Sequence, residues 1–472
     1  MTTVFNDTTD VDLRNWVHPG DGVVWGQACA EPTTLTRLLG AQANRIGPIS
    51  CFLGVTVAEG FNPTETTSLA SYCASGRNRG WVADGRLEIV DADYSCLPRM
   101  FGESIASDVV LLLLPPPQHG CYHLGLADEY LSAAIDGARV VIAEVSPHVP
   151  VIPGGRLLDA DRIDVVVHTQ LRPTELGQPD LQRNGADFLV ARNVAALVDD
   201  GATIQTGLGA LPAAVLAELR DRNDLGVHSG LITDSIADLI ELGVVTNRAK
   251  GRDRDLTVTG LVMGTQRLFD FVDRNAAIAL RSTTYTHDPA VLASLHRFTA
   301  INSALEVDLS GRINTEVAAG RYVGAHGGVG DFLRGAGQSP GGKPITALAS
   351  TTRQGVSRVV GRLSGPATVS AEDAGVIVTE WGSADLRGLA RSARREALIE
   401  IAHPEHREEL RSLPMQDGHS APEPRAHASN ASQTIGLGQL RNSAAHYVER
   451  VAAGETFDVV RRGRLVARIV PP

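Results

Sequence analysis

The sequence contains few aromatic residues, few cysteines and no long apolar run. Aromatics make up only 4% of its 472 residues, against 48 glycines, a balance typical of a tightly turned α/β scaffold and not of an aromatic-lined binding module. The five cysteines all lie within the first 121 residues and form no C-x-x-C pair. This pattern predicts neither a structural zinc site nor a disulfide framework, so reduced thiols are expected.

Export and membrane signals are also missing from the sequence. The N-terminus is acidic and polar, without the basic and apolar regions of a signal peptide. The longest apolar run, residues 109–114, is stopped by three prolines and is too short to cross a bilayer. We therefore expect a cytoplasmic protein without a membrane partner. Its formal charge of -11 argues against nonspecific nucleic-acid binding by the chain as a whole.

Apolar runs alternate with helical patterns along most of the chain. Runs such as 109–114 and 140–145 are apolar throughout, as in strands buried on both faces of a parallel sheet. A second cycle of strands and helices begins at Arg192. The pattern predicts an α/β fold with two open-sheet domains, a linker and a small α+β C-terminal module. We place them at 1–191, 192–413, 414–433 and 434–472.

Residues 203–220 read as a strand, a glycine loop and a helix. A glycine-rich turn at a helix N-terminus presents free N–H groups and the positive end of the helix dipole, which suits a phosphate or an oxyanion. Glycines in such loops also serve close packing alone. The loop by itself therefore leaves both interpretations open.

A series of further motifs keeps a fixed order over roughly two hundred residues. The motifs lie at Gln205–Pro212, Leu225–Ser229, Asp238–Asn247, Met263–Phe271, His287–Pro289, Ile301–Gly311, Gly327–Ala336, Gly341–Lys343, Val378–Gly382 and Ile401–Leu410. In this order and spacing the chain resembles the acetyl-CoA hydrolase and 4-hydroxybutyrate CoA-transferase family. The resemblance implies two CoA-transferase-like domains and an acyl-CoA substrate, with no metal.

The resemblance also implies a glutamate nucleophile after the His-Ser pair, where this chain has Gly230. Glycine has no side chain and cannot carry an acyl or CoA intermediate. The glycine loops, which in the family provide backbone donors for the charged intermediate, are retained. The residues that the resemblance assigns to CoA binding are Gln205, Gly207, Gly209, Pro212, Gly327, Gly328 and Lys343.

Several residues are candidates to replace the glutamate. His326 stands before the Gly327-Gly328 pair, where an imidazole could act as a general base or simply fill a loop. His228 and Ser229 could form a Ser-His nucleophile, although both match the family background. Glu31 and Glu306 lie in segments that the family uses near its site, where structural pairing is the alternative role.

The segment His119–His123, HGCYH, has metal-binding residue types but no evident fourth ligand. A nucleotide-hydrolysis loop of the form GxxxxGK[ST] does not occur. We therefore predict no metal and no nucleotide hydrolysis.

The C-terminal segment resembles the DNA-binding half of the prevent-host-death antitoxins. The matching positions are Leu440, Arg441, Tyr447, Val448, Val451, Gly454, Glu455, Phe457, Val459, Arg462, Gly463, Val466, Ala467, Ile469 and Pro471. Ser443 and Leu465 depart from the pattern. The resemblance implies dimerisation and, through a local cluster of arginines, DNA binding. A docking tail that no longer reads DNA is the alternative.

Three functions follow from the sequence. The first is an acyl-CoA hydrolase, or an enzyme that transfers the acyl group directly to a small acceptor. The second is a carboxylate CoA-transferase with a displaced nucleophile. The third is a non-enzymatic CoA-sensing regulator that acts through the C-terminal module.

Overall fold

The computed structural model describes residues 2–177 and 185–414, together with 433–436, 440–441, 444–452, 456–461 and 464–470 of the C-terminal module. It divides into two compact units, Met1–Leu413 and Pro414–Pro472. Residues 415–432, most of the predicted linker, lie outside the described residues. No helix in the described parts of the chain is long and apolar enough to cross a membrane.

The larger unit contains two sheets, and the described part of the first has eight strands, all parallel. Their spatial order is Thr3–Phe5, Val165–His168, Val140–Val145, Val109–Leu114, Gly22–Trp25, Ile49–Leu53, Thr67–Ser71 and Leu87–Ile89. Every residue of the central strand Val109–Leu114 is buried. Val110 and Leu112 belong to one core and Val109 and Leu111 to another, because successive side chains point to opposite faces. This explains the uniformly apolar runs in the sequence.

The second sheet also has eight described strands. Their order is Ile278–Leu280, Thr257–Val262, Gly226–Ile232, Thr203–Thr206, Thr299–Ser303, Lys343–Ala347, Val376–Thr379 and Gly382–Asp385. Seven of these strands are parallel, and the edge strand Gly382–Asp385 is antiparallel. The two open α/β sheets confirm the predicted fold class.

Helices and short strands complete the larger unit. The α-helices are Thr33–Ile46, Asn78–Ala83, Leu97–Met100, Leu131–Gly137, Ala186–Leu197, Ala210–Glu218, Asp234–Glu241, Gln266–Val272, Thr283–Thr286, Pro289–Ala293, Val329–Gln338, Arg391–Glu400 and Pro404–Ser412. The 3₁₀ turns are Thr8–Asp10, Leu13–Asn15, Ala28–Ala30, Tyr94–Cys96 and Ala160–Arg162. Short pairings join Cys121–His123 to Leu157–Asp159, Glu306–Asp308 to Ile313–Asn314 and Val359–Val360, and Val317–Ala318 to Arg321–Tyr322.

The two sheets belong to one compact unit. Helix Ala186–Leu197 spans the predicted boundary between residues 191 and 192, and the division into domains at that point stays a prediction. One apolar core holds residues of both sheets, such as Val110 of the first and Ile204 of the second. The sheets therefore share a core.

The C-terminal unit is a small α+β module. In its described residues, strands Gln433–Gly436, Phe457–Arg461 and Arg464–Ile469 form a sheet, and a helix spans Ala444–Ala452. Gln433 belongs to the first of these strands, although the sequence analysis placed it in the linker. The strand forms because it pairs in parallel with Phe457–Arg461, more than twenty residues later in the chain. Such a partner gives no local signal.

Candidate active site

A cavity of about 270 Å³ opens where strands of both sheets end. Open α/β sheets bind ligands at the carboxyl ends of their strands, next to the point where the strand order reverses. The second sheet contributes Gln205, Thr206, Gly207, Gly230, Leu231, Leu261, Met263, Asn302 and Ser303. The first half contributes Gln27, Val55, Tyr72, Cys73, Ser75, Tyr94 and Glu129. The site is therefore assembled from both halves of the larger unit.

Gly230 lines this cavity within strand Gly226–Ile232. A Cβ atom at this position would lie 3.2 Å from Cε1 of His287 and 3.5 Å from Cζ of Phe332. The first distance is shorter than an ordinary van der Waals contact. A side chain at residue 230 would therefore begin in tight contact with the imidazole of His287, which would have to shift slightly.

His287 is a buried, neutral imidazole. Burial lowers its pKa to about 3, and Nδ1 lies 2.8 Å from the hydroxyl oxygen of Thr286. Its ring packs between Tyr94 and Phe332, with centroid distances of 5.0 Å and 4.4 Å. The sequence analysis used His287 only as part of a motif. The structure places it at the centre of the cavity wall.

Glu129 is the carboxyl group that lines the cavity, and the sequence analysis did not identify it. Burial raises its pKa to about 8, and its side chain accepts hydrogen bonds from Nε2 of Gln27 at 2.8 Å and from the hydroxyl of Tyr94 at 2.9 Å. Perturbed carboxyl groups in clefts are candidates for acid–base chemistry. The signal available in the sequence was the acidic pair Asp128-Glu129, directly before the apolar helix Leu131–Gly137.

The glycine loops lie at the cavity, as the resemblance implied. Gly327 and Gly328 line it, and Gly328 is the N-cap of helix Val329–Gln338. Gly207 also lines it, whereas Gly209 is the N-cap of helix Ala210–Glu218. Helix N-termini present N–H groups without intrahelical acceptors and favour negative charge. The terminus at Gly328, which lines the cavity, therefore suits an anionic group of a ligand.

His326 lines the cavity and lies beside carboxylates of two other segments. Its Nε2 donates to Oδ1 of Asp93 at 2.9 Å, and Nδ1 lies 3.8 Å from Oε1 of Glu316. The hydrogen bond to Asp93 raises the pKa of His326 above its ordinary value. Both ring nitrogens therefore lie near carboxylates, which favour the protonated form of the ring relative to a free imidazole.

His228 and Ser229 do not line the cavity. His228 is fully buried, its Nε2 lies 3.1 Å from the carbonyl oxygen of Thr286, and burial lowers its pKa to about 3. The hydroxyl of Ser229 donates to the carbonyl oxygen of Thr206 at 3.3 Å. Gly230 and Leu231, which line the cavity, lie nearer the carboxyl end of the strand than His228 and Ser229. The Ser-His nucleophile is therefore not assembled.

Glu31 and Glu306 accept hydrogen bonds from neighbouring groups and do not line the cavity. Glu31 is buried, accepts from the hydroxyl of Thr36 at 3.0 Å, and has its pKa raised to about 7 by burial. Glu306 accepts from the backbone N–H and the hydroxyl of Ser364, both at 2.8 Å. Structural pairing, the alternative role, explains the contacts of both carboxylates.

Lys343 and Pro212, two predicted CoA contacts, also lie outside the cavity lining. Nζ of Lys343 donates to the carbonyl of Leu197 at 2.7 Å and pairs with Oδ2 of Asp199 at 2.8 Å. Its position at the start of strand Lys343–Ala347, opposite the strand's carboxyl end, explains the difference. Pro212 is buried within helix Ala210–Glu218.

The structure contains no metal-binding cluster of His, Cys, Asp or Glu side chains within its described parts. The segment His119–His123 supplies a short strand that pairs with Leu157–Asp159. Cys121 Sγ donates to Oδ1 of Asp159 at 3.5 Å.

Comparison with known proteins gives a consistent result. Residues 264–413 match the family model of the acetyl-CoA hydrolase/transferase C-terminal domain. The chain is 35% identical to the 4-hydroxybutyrate coenzyme A transferase of Clostridium kluyveri over 340 residues, 71% of this chain and 79% of the relative. It is 30% identical to the butyryl-CoA:acetate CoA-transferase of Anaerostipes caccae over 84% of this chain and 92% of the relative. The crystal structure of RipA from Yersinia pestis superposes with a TM-score of 0.81 at 31% identity, covering 87% of this chain and 96% of RipA. The chain therefore belongs to the acetyl-CoA hydrolase and CoA-transferase family, whose enzymes act on acyl-CoA by transfer or hydrolysis.

Proposed function

We propose that this protein cleaves acyl-CoA thioesters without a covalent intermediate at residue 230, by hydrolysis or by direct acyl transfer to a small acceptor. The observation that supports this proposal is Gly230 itself, which lines the cavity where strands of both sheets end. A glycine cannot accept an acyl group. The remaining polar groups of the cavity must then promote attack by water or by the acceptor.

The cavity is suited to the negative charge that develops during thioester cleavage. The tetrahedral intermediate carries an oxyanion, which backbone donors at helix N-termini stabilise. The loop at Gly327 and Gly328 presents such a terminus, since Gly328 is the N-cap of helix Val329–Gln338. His326, whose pKa the hydrogen bond to Asp93 raises, lines the same cavity. We assign His326 to electrostatic stabilisation and Gln205 to the polar wall beside Asn302.

A carboxylate CoA-transferase with a displaced nucleophile is the second candidate. The observation that favours it is Glu129, a carboxyl group in the same cavity as Gly230. In that reaction Glu129 would bond covalently, first to the acyl group and then to CoA. The two candidates therefore differ in whether an enzyme-bound intermediate forms.

Release of free CoA from a panel of acyl-CoAs tests the proposal, with water alone and with carboxylate or amine acceptors. We expect thiol release with water or with a nucleophilic acceptor. Intact mass measurement after incubation with acyl-CoA should show no CoA-sized adduct that borohydride removes. A stoichiometric adduct on any carboxylate, together with transfer only to carboxylates, would favour the CoA-transferase.

A further inference from the structure

We propose that Glu129 is the general base, and then the general acid, of thioester cleavage in this cavity. This inference rests on the function proposed above and assigns its proton-transfer group. The segment that carries Glu129 belongs to the first half of the larger unit and is hydrogen-bonded to strand Thr257–Val262 and to the start of helix Thr283–Thr286 in the second half. The backbone N–H of Asp128 donates to the carbonyl of Gly260 at 3.0 Å, and the N–H of Thr283 donates to the carbonyl of Glu129 at 3.0 Å.

Glu129 lies close to the position at which the family nucleophile is missing. A Cβ atom at Gly260 would be 3.1 Å from the carbonyl oxygen of Gly230 and 3.3 Å from Cγ of Glu129. Glu129 and the backbone of residue 230 therefore both lie next to the Cβ position of Gly260. Both residues line the 270 Å³ cavity.

The hydrogen bonds around Glu129 all point toward its carboxyl group. The side-chain oxygen of Gln27 accepts from the backbone N–H of Val55 at 2.8 Å and from the hydroxyl of Tyr72 at 2.7 Å. Since a backbone N–H can only donate, the Gln27 amide is oriented with its nitrogen toward Glu129. That nitrogen also lies 2.9 Å from the hydroxyl oxygen of Tyr94, whose proton is then directed to Glu129 Oε1.

The hydrogen-bond network and the burial of Glu129 shift its pKa in opposite directions. Burial favours the neutral acid, whereas donors from Gln27 and Tyr94 favour the carboxylate. The resulting pKa of about 8 lies close to neutral pH, where a carboxyl group can both accept and return a proton. The network therefore stabilises the charged form that a general base requires.

The pKa values of the other titratable groups around Glu129 are also shifted. The phenols of Tyr72, Tyr94 and Tyr130 have raised pKa values, and that of His287 is lowered to about 3. Burial raises the pKa of the adjacent Asp128 to about 6. Across the cavity, His326 has a raised pKa. Among these groups Glu129 is the carboxyl that faces the cavity.

The proposed step balances without a further reagent. The Glu129 carboxylate takes a proton from water, or from an amine or hydroxyl acceptor, as its oxygen or nitrogen bonds to the thioester carbonyl carbon. The tetrahedral oxyanion then collapses, and the C–S bond breaks. The sulfur leaves with the electron pair and takes the proton from the Glu129 carboxyl. The products are the acid or acyl product and free CoA thiol, and Glu129 is again a carboxylate.

Glu129 also lines a second cavity of about 470 Å³, together with Asp128, Ser132, Arg156 and Arg281. A general base for hydrolysis needs access to water as well as to the thioester. Because Glu129 lines both cavities, one cavity can hold the thioester while the other admits water.

Steady-state thioester cleavage by the full-length Glu129→Gln variant tests the proposal, with free CoA as the readout across a range of pH. Glu129→Asp retains a carboxyl group, and Glu144→Gln is a matched control. Glu144 is a buried glutamate outside this cavity that accepts from the N–H groups of Thr34 and Leu35 and has a raised pKa. Thermal unfolding of all variants reports on folding.

We expect Glu129→Gln to lower kcat by roughly 10²- to 10⁴-fold with little change in KM. The wild-type kcat/KM should rise with pH through the pKa of Glu129, and the rise should be absent from the residual activity of the variant. Glu129→Asp should retain more activity than Glu129→Gln. Glu144→Gln should keep the wild-type pH profile.

Three results would overturn the assignment and separate its failure from that of the proposed function. Wild-type kcat in Glu129→Gln, or a loss confined to KM and stability with an unchanged pH profile, would reject Glu129 while thioester cleavage stands. A hydroxylamine- or borohydride-trapped adduct mapped to Glu129 would make it a nucleophile instead. If the wild type releases CoA from none of the acyl-CoAs in the panel, the proposed function is rejected, and this assignment with it.

Discussion

Residue 230 and His287 compete for the same space in the cavity. A Cβ atom at residue 230 would lie 3.2 Å from Cε1 of His287, whose ring is confined between Tyr94 and Phe332. We therefore expect Gly230→Glu alone to hold its carboxylate out of productive geometry, which requires placement within about 0.5 Å. The double variant Gly230→Glu/His287→Ala should give more CoA-transferase activity and a borohydride-sensitive CoA adduct.

His287→Ala alone is the control for this prediction and should form no adduct. Equal transferase activity in Gly230→Glu with and without the His287 substitution would show that the imidazole moves aside freely. A folded, CoA-binding double variant without transferase activity would show that the cavity differs from that of the relatives at further positions.

The proton on His326 should make stability depend on pH. Its hydrogen bond to Asp93 raises its folded-state pKa above the ordinary value of 6.5. The stabilisation is therefore fully present below about pH 6.5 and is lost as pH rises through the folded pKa. We expect His326→Gln to reduce the wild-type loss of unfolding free energy across this window, as measured by urea denaturation at a series of pH values.

Subtracting the variant curve from the wild-type curve isolates His326 from other groups that titrate nearby. Lys250 is one such group, because burial lowers its pKa to about 7. Identical pH slopes for both proteins would contradict the assignment of an imidazolium at this position.

At the scale of elements, local pattern predicted the framework of the fold well. The apolar runs at Val109–Leu114 and Val140–Val145 are buried strands with the predicted bounds. Their side chains are buried on both faces of the sheet, so nearly every residue of each run is apolar, and the run is visible in the sequence. Strand Gln433–Gly436 was missed because its stability depends on a partner distant in the chain.

The site was less predictable than the framework because its groups come from distant segments. Gln27 and Glu129 are separated by 102 positions, and His326 and Asp93 by 233. Motif order correctly brought Gly207, Gly230 and the Gly327-Gly328 pair to one cavity. It could not show that Glu129 reaches that cavity, since the contact depends on how the first half packs against the second.

Lys343 is a motif residue that joins two secondary-structure elements and does not line the ligand cavity. Nζ links the end of helix Ala186–Leu197 to the start of strand Lys343–Ala347 through the Leu197 carbonyl and Asp199. We expect Lys343→Ala to lower the free energy of unfolding by about 1 kcal/mol, because the pair is partly exposed. CoA affinity measured by calorimetry should be unchanged, and a weakened affinity at wild-type stability would restore the predicted contact.

At the scale of the whole molecule, polar contacts fix one half of the larger unit against the other at the cavity rim. Asp331 accepts from the N–H and hydroxyl of Ser95 at 3.0 Å and 2.7 Å, and Arg334 donates to Asp93 at 2.6 Å. Asp331 and Arg334 belong to helix Val329–Gln338, whose N-terminal Gly328 lines the cavity. The same helix therefore carries a glycine loop and connects the two halves, which explains why the loop motif extends into charged residues.

The C-terminal module leads to a prediction about assembly, because its core is small. Its described core consists of Ile435, Val451, Phe457 and Val459. Val466 and Val470, beside the outward-facing Arg468, are 52% and 53% exposed. A three-stranded sheet with so small a core is marginal alone, and a second copy could cover the exposed valines.

We therefore expect this module to mediate self-association of the full chain. A stop codon after Leu413, or Val466→Asp in the full-length protein, should lower the mass measured by sedimentation if the module supplies the interface. Both variants should retain CoA binding, because the cavity lies within residues 1–413. DNA binding through the arginines of the module, if it accompanies self-association, should weaken steeply with salt as counterions are released. An unchanged mass in both variants would contradict the prediction, and loss of CoA binding on truncation would make the module part of the site.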